Sequence, residues 1–591
     1  MKNLFILFVL LGLSFPKNVL AHTHIKDYQW NRDSAKTYPH AAVVSASIIA
    51  SRIGNQIIKE GGNTVDAAIA VQFALAVVFP PAGNIGGGGF MLIRRQNFNV
   101  KGASPEYFAL DYRETAPKKA SKNMYLDKDG KVVDGESTDG ILASGIPGVV
   151  DGMVQAHKKF GKLAWNQILK PSILLASLGF PLSEEMASSL NDERGLFLKL
   201  NGSLCPFLKK GGEWKKGDLL VQKELGNTLK LIAEKGRAGF YEGIVAERLA
   251  SQMAVTKIGG SHGLITVQDL KNYHSVWRNP IFQNYKGYKI ISMPPPSSGG
   301  IALFQLLSTV EDYPIATWGA KSAKYQHLVI EAERRIYADR SFYMGDPDYV
   351  KIPVDTLLSK TYNKRRFLDF DSSKASLSSS VHPGIILGYD LSKNIRNESE
   401  ETTHFSIADA NGNAVSVTTT LNGGYGSAVV AKGSGFILNN EMDDFSLKPG
   451  TPNAYGLVGG EANSISPGKR MLSSMTPSLV DKEGKLYMVV GSPGGATIIT
   501  TVFQTIVNVL DFGMNMQEAV SAPRFHSQWL PDTVYLERKF SLDYDVNSLK
   551  KLGHIIDDRG TIGRCDAIRV NAEGVLETGA DPRGEDQSAG Y

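Results

Sequence analysis

The chain has 591 residues, of which 42% are hydrophobic and 21% charged, an ordinary composition for a globular protein with ample core. Its formal net charge of +5 is small and spread along the chain, so nothing indicates a nucleic-acid-binding protein. A chain of this length is conventionally divided into several domains, although α/β folds can run long as one unit.

The first residues have the pattern of a signal peptide. Lys2 precedes an apolar run over 4–13, and residues 19–21, Val-Leu-Ala, put small or modest side chains where a signal peptidase cuts. The apolar run is too short to cross about 30 Å of hydrocarbon, which takes about 20 residues. We therefore predict a signal peptide over 1–21, a periplasmic or secreted protein, and no stable membrane anchor. An uncleaved leader acting as an anchor is the alternative.

Helical and strand patterns alternate along the chain. Residues 48–60 and 149–160 have helical patterns that end at glycine. The apolar run over 64–79 contains polar residues and stops at two prolines, so it indicates a buried helix. Strand patterns occupy three short segments, 108–113, 289–292 and 486–490. Residues 372–401 are rich in serine, asparagine and charge, which is typical of a loose surface connection.

A hairpin with a threonine at the outer end of each strand follows that connection. Asp409 and Gly412 occupy the first and fourth positions of a type I turn followed by a glycine bulge. In that register Thr402 faces Thr420, close enough for their hydroxyls to hydrogen-bond. A strict two-residue turn would put Leu421 opposite Thr402 instead. Threonine pairs are common in plain sheets, so the hairpin alone does not indicate catalysis.

Two glycine-rich stretches differ in their context. Residues 86–89 lack the spacing and the following acidic residue of a dinucleotide site, so they predict a tight turn or a close backbone contact. Residues 491–497, Gly-Ser-Pro-Gly-Gly-Ala-Thr, lie between a strand and the apolar helical stretch 498–510. Their N–H groups would cluster at a helix N-terminus, which favours negative charge. A structural turn is the simpler interpretation of this motif alone.

No cofactor and no metal site are predicted. The eleven histidines are scattered, and neither His-Glu-x-x-His nor Cys-x-x-Cys occurs in the chain.

Residues 402–426 read Thr-Thr-His-x-Ser-Ile, then Gly-Asn-x-Val-Ser-x-Thr-x-Thr-Leu-Asn, then Tyr-Gly. This order closely resembles the signature of the γ-glutamyltransferase family, in which the first threonine begins the small subunit. Further segments are similar to family segments in the same order, and they lie at 110–117, 293–300, 337–341, 439–445, 470–475 and 588–591.

The resemblance implies an N-terminal-nucleophile hydrolase of the α+β class. Its fold would be a four-layer αββα sandwich formed jointly by a large subunit, 22–401, and a small catalytic subunit, 402–591. The precursor would cut itself between Glu401 and Thr402. A hydroxyl is a poor nucleophile until a base takes its proton, and the freed α-amine suits that role because the pKa of such an amine in peptides is about 7.7–8.0. Thr420 would orient the nucleophile, and the N–H groups of Gly494 and Gly495 would form the oxyanion hole.

The resemblance also implies how the substrate is bound. Arg113 would bind the α-carboxylate of a γ-glutamyl group, aided by Ser473 and Ser474. The groups around the α-ammonium are expected to be Asn422, Glu441 and Asp444, and Glu441 stands where some relatives have glutamine. Residues 449–462, with Tyr455, resemble a lid loop that covers the site in many members.

The predicted activity is transfer of the γ-glutamyl group of glutathione and related compounds to amino acids, dipeptides or water. A glutaryl or cephalosporin acylase of the same superfamily and a catalytically silent exported binding protein are the alternatives. Cys205 and Cys565 lie on opposite sides of the cut, so a disulfide would join the two subunits. Two unrelated buried thiols are the preferred interpretation.

Overall fold

The structure, a computed structural model, describes residues 35–96, 104–255, 257, 261–389, 401–448, 460–538 and 545–591. Three predictions fall wholly or partly outside these residues: the signal peptide 1–21, the end of the loose segment 372–401, and the lid loop with Tyr455, of which only 460–462 are described. Among the described residues, no helix combines the length and the apolar character needed to cross a membrane.

The strands are mostly short and antiparallel. In chain order they are β1 Lys36–Tyr38, β2 Ala41–Ser45, β3 Gly88–Arg95, β4 Glu106–Asp111, β5 Phe180–Pro181, β6 Leu219–Leu220, β7 Val276–Arg278, β8 Ile281–Tyr285, β9 Tyr288–Ser292, β10 Glu401–Asp409, β11 Ala414–Asn422, β12 Ser478–Lys482, β13 Lys485–Gly491, β14 Phe525–Ser527, β15 Val534–Glu537, β16 Ile556–Arg559, β17 Asp566–Val570, β18 Leu576–Gly579 and β19 Gln587–Gly590.

Most of the described helices precede β10 in the chain. They are α1 Ile48–Lys59, α2 Thr64–Val78, α3 Val149–Phe160, α4 Trp165–Leu178, α5 Glu184–Asp192, α6 Arg194–Asn201, α7 Lys223–Lys235, α8 Ala238–Tyr241, α9 Gly243–Val255, α10 Val267–Asn272, α11 Gly299–Val310, α12 Ile315–Trp318, α13 Ala323–Tyr343, α14 Val354–Leu358, α15 Lys360–Arg366, α16 Thr497–Leu510, α17 Met516–Ser521 and α18 Val546–Lys551. Short 3₁₀ helices cover Ile141–Ala143, Ser378–Ser380, Glu441–Asp444 and Glu461–Asn463.

Two seven-stranded sheets form the centre of the molecule. One has the order β1-β18-β17-β13-β12-β9-β8 and the other β19-β2-β10-β11-β3-β4-β7. Strands β10 and β11 of the second sheet contact β13 and β17 of the first, so the sheets stack face to face. A three-stranded sheet, β14-β15-β16, and the pair β5-β6 lie apart from them.

Side-chain alternation along the central strands connects these layers. In β2, Val43 packs into a core shared with helices α1 to α4, whereas Ala42 and Val44 pack into a core between the sheets. That second core also contains apolar residues of α11, α13 and α16 on the far side of the first sheet. Because successive strand residues point to opposite faces, each central strand contributes to two layers. The predicted αββα sandwich is therefore confirmed.

The individual elements agree with the sequence patterns to within a few residues. Helix α2 is buried along its whole length, as its continuous apolar run predicts, and begins with a capping box between Asn63 and Asp66. The hairpin of β10 and β11 has the predicted register, with Thr403 opposite Thr419. In its turn the N–H of Gly412, at φ +81°, donates to the carbonyl of Asp409.

The structure also agrees with the predictions for the glycine stretch 86–89 and for the two cysteines. A Cβ on Gly86 or Gly87 would lie 2.0 Å from a backbone oxygen, of Ile437 or Thr420 respectively, so this stretch is a close backbone contact. Cys205 and Cys565 are both buried free thiols.

Candidate active site

Thr402 lies near the start of β10, in the middle of the second sheet. The ladder with β11 shifts between Glu401 and Thr403, so Thr402 stands at an irregularity in the strand pairing. Thr420, the residue after the Thr419 that pairs with Thr403, is buried, and its Oγ1 accepts a hydrogen bond from the N–H of Asn422 at 2.7 Å. Thr402 itself is 8% exposed.

A small cavity collects most of the residues that the sequence predicts for the site. Its described lining includes Arg113, Thr402, Thr420, Asn422, Glu441, Asp444, Ser473, Ser474 and Gly495. Its volume is about 10 Å³, which is about the space of one water molecule. Residues that are up to several hundred positions apart in the chain therefore meet at one point beside Thr402.

Arg113 is the centre of the charged part of this cavity. It follows β4, is 1% exposed, and its guanidinium forms ion pairs with both Glu441 and Asp444. Its Nη2 also donates to the carbonyl of Leu472 at 3.1 Å. The resemblance assigns the arginine and the acids to opposite charges of a substrate. In the structure they pair with each other.

Glu114 is a member of this cluster that the sequence analysis missed. It is fully buried, lies 3.6 Å from Arg113 Nη1, and neither of its carboxylate oxygens has a hydrogen-bond donor among the described residues. Burial raises the pKa of Glu114, and burial likewise raises that of Glu441, against the opposing effect of the Arg113 charge. The sequence signals for Glu114 are its position directly after Arg113 and its place in the family-like segment 110–117.

Ser473 and Ser474 line the same cavity as the acids. The N–H of Ser473 donates to the Pro296 carbonyl at 3.0 Å, which fixes this segment against the loop before α11. Ser474 Oγ accepts a hydrogen bond from Arg340 Nη2 at 3.0 Å, and Arg340 Nε donates to Ser298 Oγ at 2.8 Å. Arg340, on α13, is thus a second buried residue that supports the site and that the sequence analysis did not single out.

The glycine pair lies between the end of β13 and the start of α16. Gly494 and Gly495 have φ values of +127° and +54°, a region that glycine adopts most easily. The N–H of Thr497 already donates to the Gly494 carbonyl. The 14-residue helix α16 starts at Thr497, after Ala496, and Thr497 and Gly494 line a cavity together with Thr402, so the positive end of the helix is close to this threonine.

The described residues bring one group of possible metal ligands together, away from this cavity. It consists of His327, Glu331 and His554. His327 Nδ1 and His554 Nε2 hydrogen-bond to each other at 2.7 Å, and Glu331 Oε2 accepts from Arg335 at 2.7 Å. These interactions already occupy the facing ligand atoms, so the group gives no ground for a metal site.

Two stacked antiparallel sheets between helical layers, with a threonine near the start of a central strand, define the class of the protein: it has the fold of the N-terminal-nucleophile hydrolases. The crystal structure of cephalosporin acylase from Bacillus halodurans shares this fold, with a TM-score of 0.79, 24% identity, and coverage of 99% of both chains.

The sequence narrows the class to one family. Residues 50–591 match the model of the Gamma-glutamyltranspeptidase family, and the chain belongs to that family. It is 46% identical over 551 residues to a Glutathione hydrolase proenzyme of Escherichia coli (strain K12), covering 93% of this chain and 91% of the relative. An Acylase ACY 1 proenzyme of Pseudomonas sp. (strain V22) is 36% identical over 547 residues, covering 91% of each. The predicted family and enzyme class are confirmed.

Proposed function

We propose that Thr402 is the nucleophile of a γ-glutamyltransferase and glutathione hydrolase that first cuts its own chain before this residue. The observation that carries the proposal is one small cavity beside Thr402, which brings together a buried arginine, two acids paired with it, and Gly495 just before a helix. The relative named Glutathione hydrolase proenzyme supports the same substrate and a precursor that matures.

The reaction needs a base and a site for negative charge. In the precursor, the Thr402 hydroxyl attacks the carbonyl of Glu401, and water opens the resulting ester. In the mature enzyme, the freed α-amine of Thr402 takes the proton from its own hydroxyl, and the oxygen attacks the γ-amide of the substrate. The N–H groups of Gly494 and Gly495 stabilise the oxyanion, Thr420 orients the nucleophile, and a glutamyl ester remains on Thr402.

Substrate binding requires an exchange of ion pairs. The cavity of about 10 Å³ is too small for a glutamyl group while Arg113 is paired with Glu441 and Asp444. A zwitterionic glutamyl end offers both charges: its carboxylate takes the guanidinium, and its ammonium takes the acids. Ser473, Ser474 and Asn422 line the same cavity and supply hydrogen bonds to the two groups.

A glutaryl acylase is the second candidate, since an acylase proenzyme is among the relatives. The charge of the cavity argues against it. A glutaryl group has a carboxylate and no ammonium. When its carboxylate binds Arg113, Glu441 and Asp444 would lose their ion pairs with the guanidinium and gain no cation in return. Leaving buried carboxylates without a partner is costly. The two acids therefore favour a glutamyl substrate.

The test combines maturation and turnover of the purified protein. We expect two chains, about 22–401 and 402–591, with the smaller beginning Thr402-Thr403-His404 on N-terminal sequencing. The removal of the leader and export are checked by the N-terminus of the larger chain. Incubation with glutathione, with and without a dipeptide acceptor, should give a γ-glutamyl dipeptide and glutamate respectively. A fully active single-chain protein would contradict the mechanism.

A further inference from the structure

Three buried acids interact with one another at the start of β17 and in the segment that follows β18. They are Asp566, Asp581 and Asp586, and none is more than 8% exposed. Asp566 pairs with Gly491 across the ladder of β13 and β17, so it lies beside the first residue of the glycine loop, which we define as 491–495. The described lining of the cavity around Arg113, here called the acyl cavity, includes none of the three acids.

The three acids differ in the hydrogen-bond donors around them. Asp581 accepts from Arg524 Nη2 at 2.7 Å, and Asp586 accepts from Arg564 Nε. No described N–H or hydroxyl group donates to either oxygen of Asp566. Its carboxyl group lies instead within hydrogen-bonding reach of the Asp586 carboxyl group. Asp566 is therefore the one acid of the three that has another acid in place of a donor.

This arrangement requires a proton between Asp566 and Asp586. Two ionised carboxylates in contact repel each other, and such a pair keeps a proton that belongs to both groups. Burial raises the pKa of Asp566 well above its usual value, and Asp586 raises it further. Burial also raises the pKa of Asp586, against the opposing charge of Arg564. Glu185 acts on Arg564 as well, so a second charge on the pair would compete for a guanidinium that already faces two acids.

Arg564 connects this acid pair to the glycine loop. Its N–H donates to Ser492 Oγ at 2.9 Å, and that hydroxyl donates to the Pro493 carbonyl at 2.7 Å. Arg564 and Gly494 also line one cavity together with Thr402. The position of the loop is thus linked to the position of Arg564, and Arg564 is held by the acid pair.

We propose that Asp566 and Asp586 share one proton, and that this acid pair is a positioning device for the glycine loop. The shared proton fixes the two carboxyl groups against each other, the Asp586 carboxyl group fixes Arg564, and the N–H of Arg564 fixes Ser492. Neither acid is among the described lining residues of the two cavities beside Thr402, so the pair acts on the reaction through the loop. Its effect on turnover rests on the proposed function, because that function makes the glycine pair the oxyanion donors.

Infrared spectroscopy tests the shared proton without any turnover. At neutral pH the wild-type protein should have the C=O band of one more protonated carboxyl group than Asp566→Asn, in which the remaining acid, Asp586, ionises beside Arg564. The band should shift when the protein is exchanged into heavy water. Asp151→Asn is the matched control, because Asp151 is also buried and paired with an arginine, but accepts from the N–H of Ser275 at 2.7 Å. This control should leave the carboxyl band unchanged.

Two substitutions at one position test the positioning role. Asp566→Asn keeps a neutral hydrogen-bond donor toward Asp586, so kcat for a γ-glutamyl anilide should stay within about threefold of the wild-type value. Asp566→Ala removes the donor, and kcat should fall about tenfold, the effect of one lost hydrogen bond to a charged group. The KM should change by less than about twofold, because the acyl cavity keeps all its residues. The kcat is expressed per matured chain, so poorer folding alone does not imitate the effect.

Three results would overturn the proposal: no difference in the carboxyl band between wild type and Asp566→Asn, equal kcat values for the alanine and asparagine variants, or an effect of Asp566→Ala confined to KM. If Asp566→Ala does not mature, the infrared comparison still decides. Failure of the proposed function looks different, because the wild-type protein would then not hydrolyse the anilide while the carboxyl band would be unaffected.

Discussion

Replacing Asp444 by asparagine tests the charge recognition in the acyl cavity. The substitution keeps the size of the side chain and removes one of the two acids paired with Arg113. If Asp444 binds the α-ammonium of the substrate, the variant loses a charge-assisted contact in a site where Asp444 is only 5% exposed. Such a contact is worth about 1.5–3 kcal/mol. We therefore expect kcat/KM for a γ-glutamyl anilide to fall about ten- to hundredfold.

The structure also bounds the cost to folding. Breaking a buried ion pair outright costs about 3–5 kcal/mol because the remaining charge has no partner. In Asp444→Asn the Arg113 guanidinium keeps Glu441, and it keeps the Leu472 carbonyl at 3.1 Å. The loss of stability should therefore be well below that range. A melting curve measured beside the kinetics separates the two effects.

The informative assay compares a glutamyl with a glutaryl anilide, which differ only in the ammonium group. Asp444→Asn should weaken glutamyl turnover strongly and glutaryl turnover little. Asp443→Asn is the control: Asp443 is the neighbouring buried acid, and its Oδ1 accepts from Ser137 at 2.6 Å instead of facing the cavity. Equal losses on both substrates would refute the reasoning and make Asp444 a residue of the fold.

Three further predictions concern the hairpin that carries Thr402. Thr402→Ala should remain one chain and be inactive, whereas Thr402→Ser should keep some of both activities; gel bands and glutamate release check this, and an active alanine variant would place the nucleophile elsewhere. Gly87→Ala should impair maturation because its Cβ would lie 2.0 Å from the Thr420 carbonyl, while Gly195→Ala, with nothing within 4 Å, should mature normally. Burial lowers the pKa of His404 from 6.5 to about 3, so the unfolded chain binds the extra proton as pH falls. The stability that neutral His404 contributes is complete above about pH 6.5 and falls by about 1.4 kcal/mol per pH unit below it. In a Thr402→Ala background, the Tm of His404→Gln should fall less steeply between pH 7 and pH 5 than the Tm of the parent. Parallel curves would contradict this.

The fold was predictable where local patterns determine it. The register of the hairpin follows from its turn, because Asp409 and Gly412 favour a type I turn with a glycine bulge over a strict two-residue turn, and every pair outward is then counted from it. Helix α2 follows from a continuous apolar run. The sandwich itself did not follow from periodicity, since alternation in a strand such as β2 shows two buried faces and not what covers them. That step required the resemblance to the family.

The site was predictable only in part, for a physical reason. The resemblance named Arg113, Glu441 and Asp444, and all three line one cavity. It did not indicate that they would pair with one another, because such pairing depends on distances between segments that are far apart in the chain. Glu114 and Arg340 lie in family-like segments, 110–117 and 337–341, but the resemblance gave neither a role, and their importance follows from burial and from the groups they face.

This pairing explains how a buried arginine can be kept ready for a carboxylate. An unpaired guanidinium in so enclosed a place would be costly, and we propose that Glu441 and Asp444 hold Arg113 until a substrate carboxylate replaces them. A zwitterion replaces one set of ion pairs with two and leaves the charge of the site unchanged. A ligand with only the carboxylate displaces the acids without compensating them, and a ligand with only the ammonium has nothing to offer Arg113. On these proposed roles, selectivity for a glutamyl end arises from the requirement that both charges come together on one molecule.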